Sequence, residues 1–239
     1  MSKAFEAIEH ARRRLRHARS GGAEAGPVSS RLDVEADMVQ LYQSIRDHSS
    51  YSGRKIFQFI GSTAREGTST LAREFAQTVA LKLGKSVLLL DADPESPTHH
   101  RAFNIKIARG IKEVIKEGAP IVEALYRIDE TSLFIGAVSI DSTYGTDLFD
   151  SPKIDGVWEQ LKKRFDVVVI DSPPADSSPV GLAVCRTVDG VIIVLEAEKT
   201  RWPVAASTKK RILQNGGTIL GVVLNKRRYY IPDWIYRRL

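Results

Sequence analysis

Apolar runs and helical stripes alternate along most of the chain. Residues 56–60 (Ile-Phe-Gln-Phe-Ile) are almost wholly apolar and read as a buried strand. After a small-residue loop at 61–67, Leu71, Phe75, Val79 and Leu83 recur at helical spacing, and Gly84 ends that helix. Residues 86–93 form a second strand, apolar on both faces as in a parallel sheet, before Pro94 and Pro97 interrupt regular structure. A short glycine-closed helix is predicted at 110–118, a third strand at 132–138, and a helix at 154–164 with Val157, Trp158 and Leu161 inward. A strand at 165–171, a strand at 190–195, a helix at 204–214 and a strand at 218–225 complete the alternation. Upstream, Val34, Met38, Leu41, Tyr42 and Ile45 mark a helix over 33–47. Residues 3–19 read as a basic helix with a thin apolar stripe, joined on by a flexible Ser/Gly-rich linker at 20–27.

Repeated strand–helix units predict one α/β domain: a doubly wound, mostly parallel sheet flanked by helices. The expected organisation is a basic N-terminal helix and linker (1–32), the α/β domain (33–225) and a basic aromatic tail (226–239). At 239 residues and 43% hydrophobic, the chain can bury one large core.

Charge changes the picture of the two ends. Residues 1–20 hold six Lys/Arg against two Glu, and 226–239 hold five against one Asp, so each end carries +4. With +6 overall, residues 21–225 must carry −2. A nucleic-acid domain places positive charge on the fold itself, so these ends read instead as docking segments and no nucleic-acid partner is expected. The lone Cys185 excludes a disulfide framework and, in its apolar surroundings, reads as a buried inert thiol of a reducing cytoplasm. No run approaches the roughly 18 apolar residues of a membrane span.

The chemistry lies where strands end. Gly61-Ser-Thr-Ala-Arg-Glu-Gly67, followed by Thr68, Ser69 and Thr70 at a helix start, has the strand–loop–helix layout of a phosphate-binding P-loop. Gly61 stands six residues before Gly67 rather than the usual five, and Thr68 fills the place of the lysine. The 86–93 strand ends in Asp91 and Asp93, and the 165–171 strand ends in Asp171 before a Pro-Pro turn. On such sheets ligands bind beyond the carboxyl ends of the strands, so loop and acids are expected to meet at one edge. His99 and His100 lack a third ligand at metal spacing and read as solvated loop histidines.

Leu88-Leu-Leu-Asp-Ala-Asp93, Val168-Val-Ile-Asp-Ser-Pro-Pro174, Gly110-Ile-Lys-Glu-Val-Ile and Gly221-Val-Val-Leu-Asn225 together resemble segments of the bacterial tyrosine kinases (BY-kinases) of capsule and exopolysaccharide synthesis, the CpsD/CapB type. These belong to the wider group of P-loop partition and septum-placement ATPases. The likeness runs from about residue 33 to 225. It implies ATP or ADP with Mg²⁺, phosphates on the loop residues Arg65, Gly67, Thr68, Ser69 and Thr70, and Mg²⁺ held by Ser69 and Asp171. It further implies that Asp91 and Asp93 position the metal and activate a tyrosine hydroxyl, that Asn225 sits near the adenine, and that Tyr229, Tyr230 and Tyr236 are phosphoacceptors.

Against the family pattern, Thr68 replaces the lysine and Arg65 a glycine. The assembly motif Glu-x-x-Arg-x-x-Arg is reduced to Gln40, Gln43 and Arg46, and the tyrosine cluster is thinned. Two readings follow. One is an ATP-dependent tyrosine autokinase acting on its own tail. The other, favoured because lysine and assembly motif fail together, is a degenerate regulatory subunit. It would lie in the cytoplasm, peripheral to the inner membrane through a polysaccharide co-polymerase or export protein. Self-association through residues 40–46 is expected to stop at monomer or dimer.

Overall fold

A computed structural model describes residues 31–47, 55–141 and 145–227. The basic N-terminal helix, the linker, and Tyr229, Tyr230 and Tyr236 lie outside the described residues.

Helix α1 (Arg31–Asp47) leads into β1 (Ile56–Gly61), α2 (Thr68–Lys82), β2 (Val87–Asp91) and the one-turn α3 (His99–Ala102). Then come α4 (Ile111–Glu117), a 3₁₀ turn (Ile121–Ala124), β3 (Tyr126–Arg127), β4 (Leu133–Ala137), α5 (Asp147–Asp150) and α6 (Lys153–Arg164). The chain continues through β5 (Val167–Asp171), α7 (Pro179–Cys185), β6 (Gly190–Glu196), α8 (Trp202–Gln214) and β7 (Ile219–Asn225). The strands form one seven-stranded sheet in the order β3-β4-β2-β5-β1-β6-β7. All pairs are parallel except the short β3 against β4. The doubly wound α/β fold is thus as the alternation predicts.

Strands β1, β2 and β5 are buried along their whole length, which is why their sequences are apolar on both faces. One face carries α1 and α2: Met38, Tyr42 and Ile45 pack with Phe59, Phe75 and Val79. The other carries α4 to α7 over Leu88, Leu90, Val168 and Ile170, with Trp158, Leu161 and Phe165 filling the layer. Buried Cys185 joins a third cluster with Ile193 and Ile212, and burial pushes its thiol up to about 11. In the middle of β1, buried Gln58 donates from Nε2 to Ser172 Oγ (2.9 Å) and to the Gly181 carbonyl (2.6 Å). A Cβ on Gly181 would lie 2.6 Å from the Pro173 carbonyl oxygen, so only glycine lets α7 approach the strand end this closely.

Five short elements were not expected from the pattern: α3, the 3₁₀ turn, β3, α5 and α7. Each spans two to seven residues, too few for a period to show.

Candidate functional site

The P-loop joins β1 to α2 across the sheet edge. Gly67 is the N-cap of α2 at φ 90°, a left-handed value glycine takes without strain, and no side chain caps the helix. A 15-residue helix with an uncapped N-terminus and no acid in its first turn offers its N–H groups and dipole to an anion. Thr68 and Ser69 are half-buried there and Thr70 is exposed. Arg65, also at φ 69°, holds the same left-handed conformation with a side chain attached, which costs about 1–2 kcal/mol. Its side chain is exposed.

Glu66 braces the loop, a role sequence reasoning missed. Its side chain is only 2% exposed. Oε2 accepts from the backbone N–H groups of Ser62 (2.5 Å) and Thr63 (3.0 Å), and Oε1 accepts a short hydrogen bond from the Thr200 hydroxyl. An acid inside an anion-binding loop is itself a signal, since it must find donors of its own.

From β7, Asn225 donates through Nδ2 to the Glu66 carbonyl (2.8 Å). Lys226, itself at φ 57°, donates from Nζ to the Arg65 carbonyl (2.5 Å) and to Glu196 Oε2 (3.0 Å). That contact, with a second from Lys199, holds the Glu196 carboxyl below its ordinary range. The C-terminal ends of β6 and β7 therefore clamp the loop. Asn225, which the resemblance puts near the adenine, touches the loop; Lys226 had not been singled out.

On the adjoining strand β5 and its neighbour β2 lies the acid edge. Asp91 and Asp171 are direct register partners in the β2–β5 ladder, and both are buried. Asp91 accepts from the backbone N–H groups of Asp93 (3.2 Å), Thr98 (2.9 Å) and His99 (3.2 Å). Burial drives its pKa up, His99 opposes that, and the neighbouring Asp171 adds to it. Asp93 is half-buried, and its Oδ1 accepts from the N–H groups of Glu95 and Ser96, both at 3.0 Å, closing the turn after β2.

His99 corrects the expectation of a solvated loop histidine. It is 0% exposed, and its Nε2 lies 3.0 Å from Asp171 Oδ2. The backbone bonds to Asp91 fold the 94–99 segment back over the strand ends and carry the ring inward. His100 remains half-buried.

Around this edge the buried Asp171 Oδ1, His99 Nδ1, Thr98 Oγ1 and Ser62 Oγ have no hydrogen-bond partner among the described residues. An unpaired buried carboxylate oxygen beside an uncapped helix N-terminus fits a divalent cation carried by a phosphate ligand. The structure thus brings the P-loop, Asp91, Asp93, Asp171 and Asn225 to one sheet edge. The exposed Gln40, Gln43 and Arg46 lie apart on α1, with the Arg46 guanidinium 5.9 Å from the Tyr42 ring centroid.

No protein-family model matches the chain. It is similar to the putative tyrosine-protein kinase CapB of Staphylococcus aureus, 24% identical over 196 residues, covering 80% of this chain and 86% of CapB. It is likewise similar to the tyrosine-protein kinase YwqD of Bacillus subtilis, 26% identical over 197 residues, covering 79% and 81%. In fold it resembles the kinase domain of the Escherichia coli tyrosine kinase ETK, with TM-score 0.74, 17% identity, and 90% and 87% of the two chains covered. The chimeric protein CapA2B2 superposes with TM-score 0.71 at 20% identity over 81% and 85%. A more distant likeness is to cobyrinic acid a,c-diamide synthase from Mycobacterium smegmatis with bound ADP and magnesium, with TM-score 0.60, 19% identity, and 72% and 74% covered. By these comparisons the chain is similar in sequence to the tyrosine-protein kinases CapB, CpsD and YwqD, and it shares the fold of the tyrosine-kinase domains among the solved structures.

Proposed function

We propose that the chain is a BY-kinase-like protein of capsule or exopolysaccharide synthesis that has lost the kinase's catalytic lysine and serves as a regulatory subunit. Its working unit is the 33–225 domain, with basic extensions that dock it on an inner-membrane polysaccharide co-polymerase or export partner. The observation that carries this reading is the P-loop itself. Where a lysine would reach the β- and γ-phosphates, Thr68 offers only an uncharged hydroxyl. The cation that does reach the loop, Lys226, is engaged by the Arg65 carbonyl and Glu196. Losing one donor that tracks developing charge costs about 10²–10³ in rate.

On this reading ATP or ADP lies on the backbone of Arg65 and Gly67 to Thr70, with Asn225 near the base. Ser69 and Asp171 hold Mg²⁺ directly or through water, and Asp91 and Asp93 support that site. When bound, the metal would neutralise charge on the phosphates. The nucleotide-bound synthase among the structural neighbours supports this ligand class. CapA2B2 supports a CapA-type partner. The exposed Trp202, Val222 and Leu224, at the start of α8 and on the open edge strand β7, supply apolar surface for docking. No described helix is long and apolar enough to cross a membrane, so attachment through a partner suits the chain.

A second reading, an active autokinase phosphorylating Tyr229, Tyr230 and Tyr236, is favoured by one observation: the three acids stand together at the sheet edge. Calorimetry with Mg·ATP and Mg·ADP, run alongside transfer of labelled γ-phosphate, separates the two. The regulatory reading expects weak binding and no phosphotyrosine. Phosphate on Tyr229 or Tyr230 from ATP alone, at about 1 per second or faster and abolished by Asp171→Ala, establishes the kinase instead. Deleting residues 229–239 should leave a folded protein that no longer sediments with membranes containing its partner.

A further inference from the structure

His99 belongs to none of the motifs that define the site, yet it touches both of its buried acids. Its backbone N–H donates to Asp91 Oδ2 (3.2 Å), and its ring Nε2 lies 3.0 Å from Asp171 Oδ2. A carboxylate oxygen can only accept here, so Nε2 carries the proton and donates. The other ring nitrogen, Nδ1, is buried without a partner among the described residues. An imidazole kept inside at that cost is not filling space, because an apolar side chain of similar volume would leave no polar atom unpaired.

The consequence falls on Asp171. One of its oxygens is fixed by the ring, and the other, Oδ1, is buried and unpaired. The terminal torsion of an aspartate is broad and roughly two-fold, so an isolated carboxylate does not hold one oxygen in one direction. Pinning Oδ2 removes that freedom and aims Oδ1. Carboxylates that bind metals are themselves hydrogen-bonded, and losing such a supporting partner typically costs about 10–100-fold in metal affinity.

We infer that His99 is the positioning residue of Asp171: it holds Oδ2 so that Oδ1 faces the divalent cation of a bound nucleotide, and it ties the loop after β2 to the end of β5. This rests on the reading of Asp171 as a metal-holding residue. Because His99 opens α3, the segment between Asp93 and Phe103 reports directly on the state of the metal-binding acid.

The test uses the full chain with Mn²⁺ as a paramagnetic stand-in for Mg²⁺. Free Mn²⁺ is followed by electron paramagnetic resonance as ADP is added to wild type, His99→Leu and His99→Gln. ADP without metal is titrated in parallel, and Tm is recorded for each variant. His99→Leu should weaken Mn·ADP binding about 10–100-fold while leaving metal-free ADP binding unchanged. His99→Gln, whose side-chain amide can still donate to Asp171, should recover most of the loss. Should His99→Leu fail to fold, His99→Asn, polar but too short to reach, takes its place. Wild-type Mn·ADP affinity in a folded His99→Leu overturns the proposal. So does tighter binding, which would make the ring a competitor of the metal. If wild-type protein shows no metal-dependent ADP binding, the reading of Asp171 falls and the proposal with it.

Discussion

The P-loop at the end of β1 and the acid edge at the ends of the adjoining β5 and β2 solve opposite problems. At the loop the carboxylate and two carbonyls are engaged by protein: Glu66 by Ser62, Thr63 and Thr200, the Glu66 carbonyl by Asn225, the Arg65 carbonyl by Lys226. At the acid edge Asp171 Oδ1, His99 Nδ1 and Thr98 Oγ1 are buried with no partner among the described residues. The loop is tied to the segment after β6 and to the end of β7 through Thr200, Asn225 and Lys226. The acid edge keeps buried polar atoms without partners among the described residues. Shape at the loop is thus set by contacts that need no cation at position 68.

The largest effect expected from breaking this contrast is at Glu66. Glu66→Ala removes a buried carboxylate that accepts two backbone N–H groups, so it should lower unfolding free energy by about 3 kcal/mol. Urea denaturation measures this, and a change within experimental scatter would mean the loop needs no brace. Next is Asp171→Ala, which should weaken Mg·ADP binding about 100-fold and leave metal-free ADP untouched, read by calorimetry. Equal losses with and without metal would assign Asp171 to the fold instead. Thr68→Lys sharpens the comparison from the other side. Restoring one charge-assisted contact in a braced loop should tighten Mg·ATP about tenfold. The smallest effect belongs to Arg65→Gly, which relieves a left-handed backbone and should stabilise the protein by about 1 kcal/mol, seen as a rise in Tm. A fall in Tm would show that the Arg65 side chain contributes more than its conformation costs.

Sheet and long helices were legible because their signal is physical and long-range: strands buried on both faces must be apolar throughout, and α1, α2 and α6 carry inward residues at helical spacing. The one-turn α3 and α5, the 3₁₀ turn and the two-residue β3 were not legible, because each contains little more than one period, and α7 is apolar almost throughout, so no stripe marks it. His99 was misread for a related reason. The polar stretch from Asp93 to Arg101 looks solvated, and only the three backbone N–H groups converging on Asp91 reveal that its middle turns inward. Glu66 was visible in the sequence but not as a brace, since its partner Thr200 is 134 residues away. Asp91, Asp93 and Asp171 were found because strand C-ends converge in any doubly wound sheet. What their carboxylates bond to was not readable.

The β2–β5 register has a further meaning. Asp91 faces Asp171 because Val87 faces Val167 and every rung between them matches. Neighbouring strands stand about 4.8 Å apart, so the backbone ladder acts as a calliper whose jaws are the two carboxylates. A slip of one rung would throw the jaws onto opposite faces of the sheet. Side chains along β2 and β5 can then be exchanged for others of similar volume without changing the gauge. What cannot be exchanged is the number of rungs from Val87 opposite Val167 to the two acids.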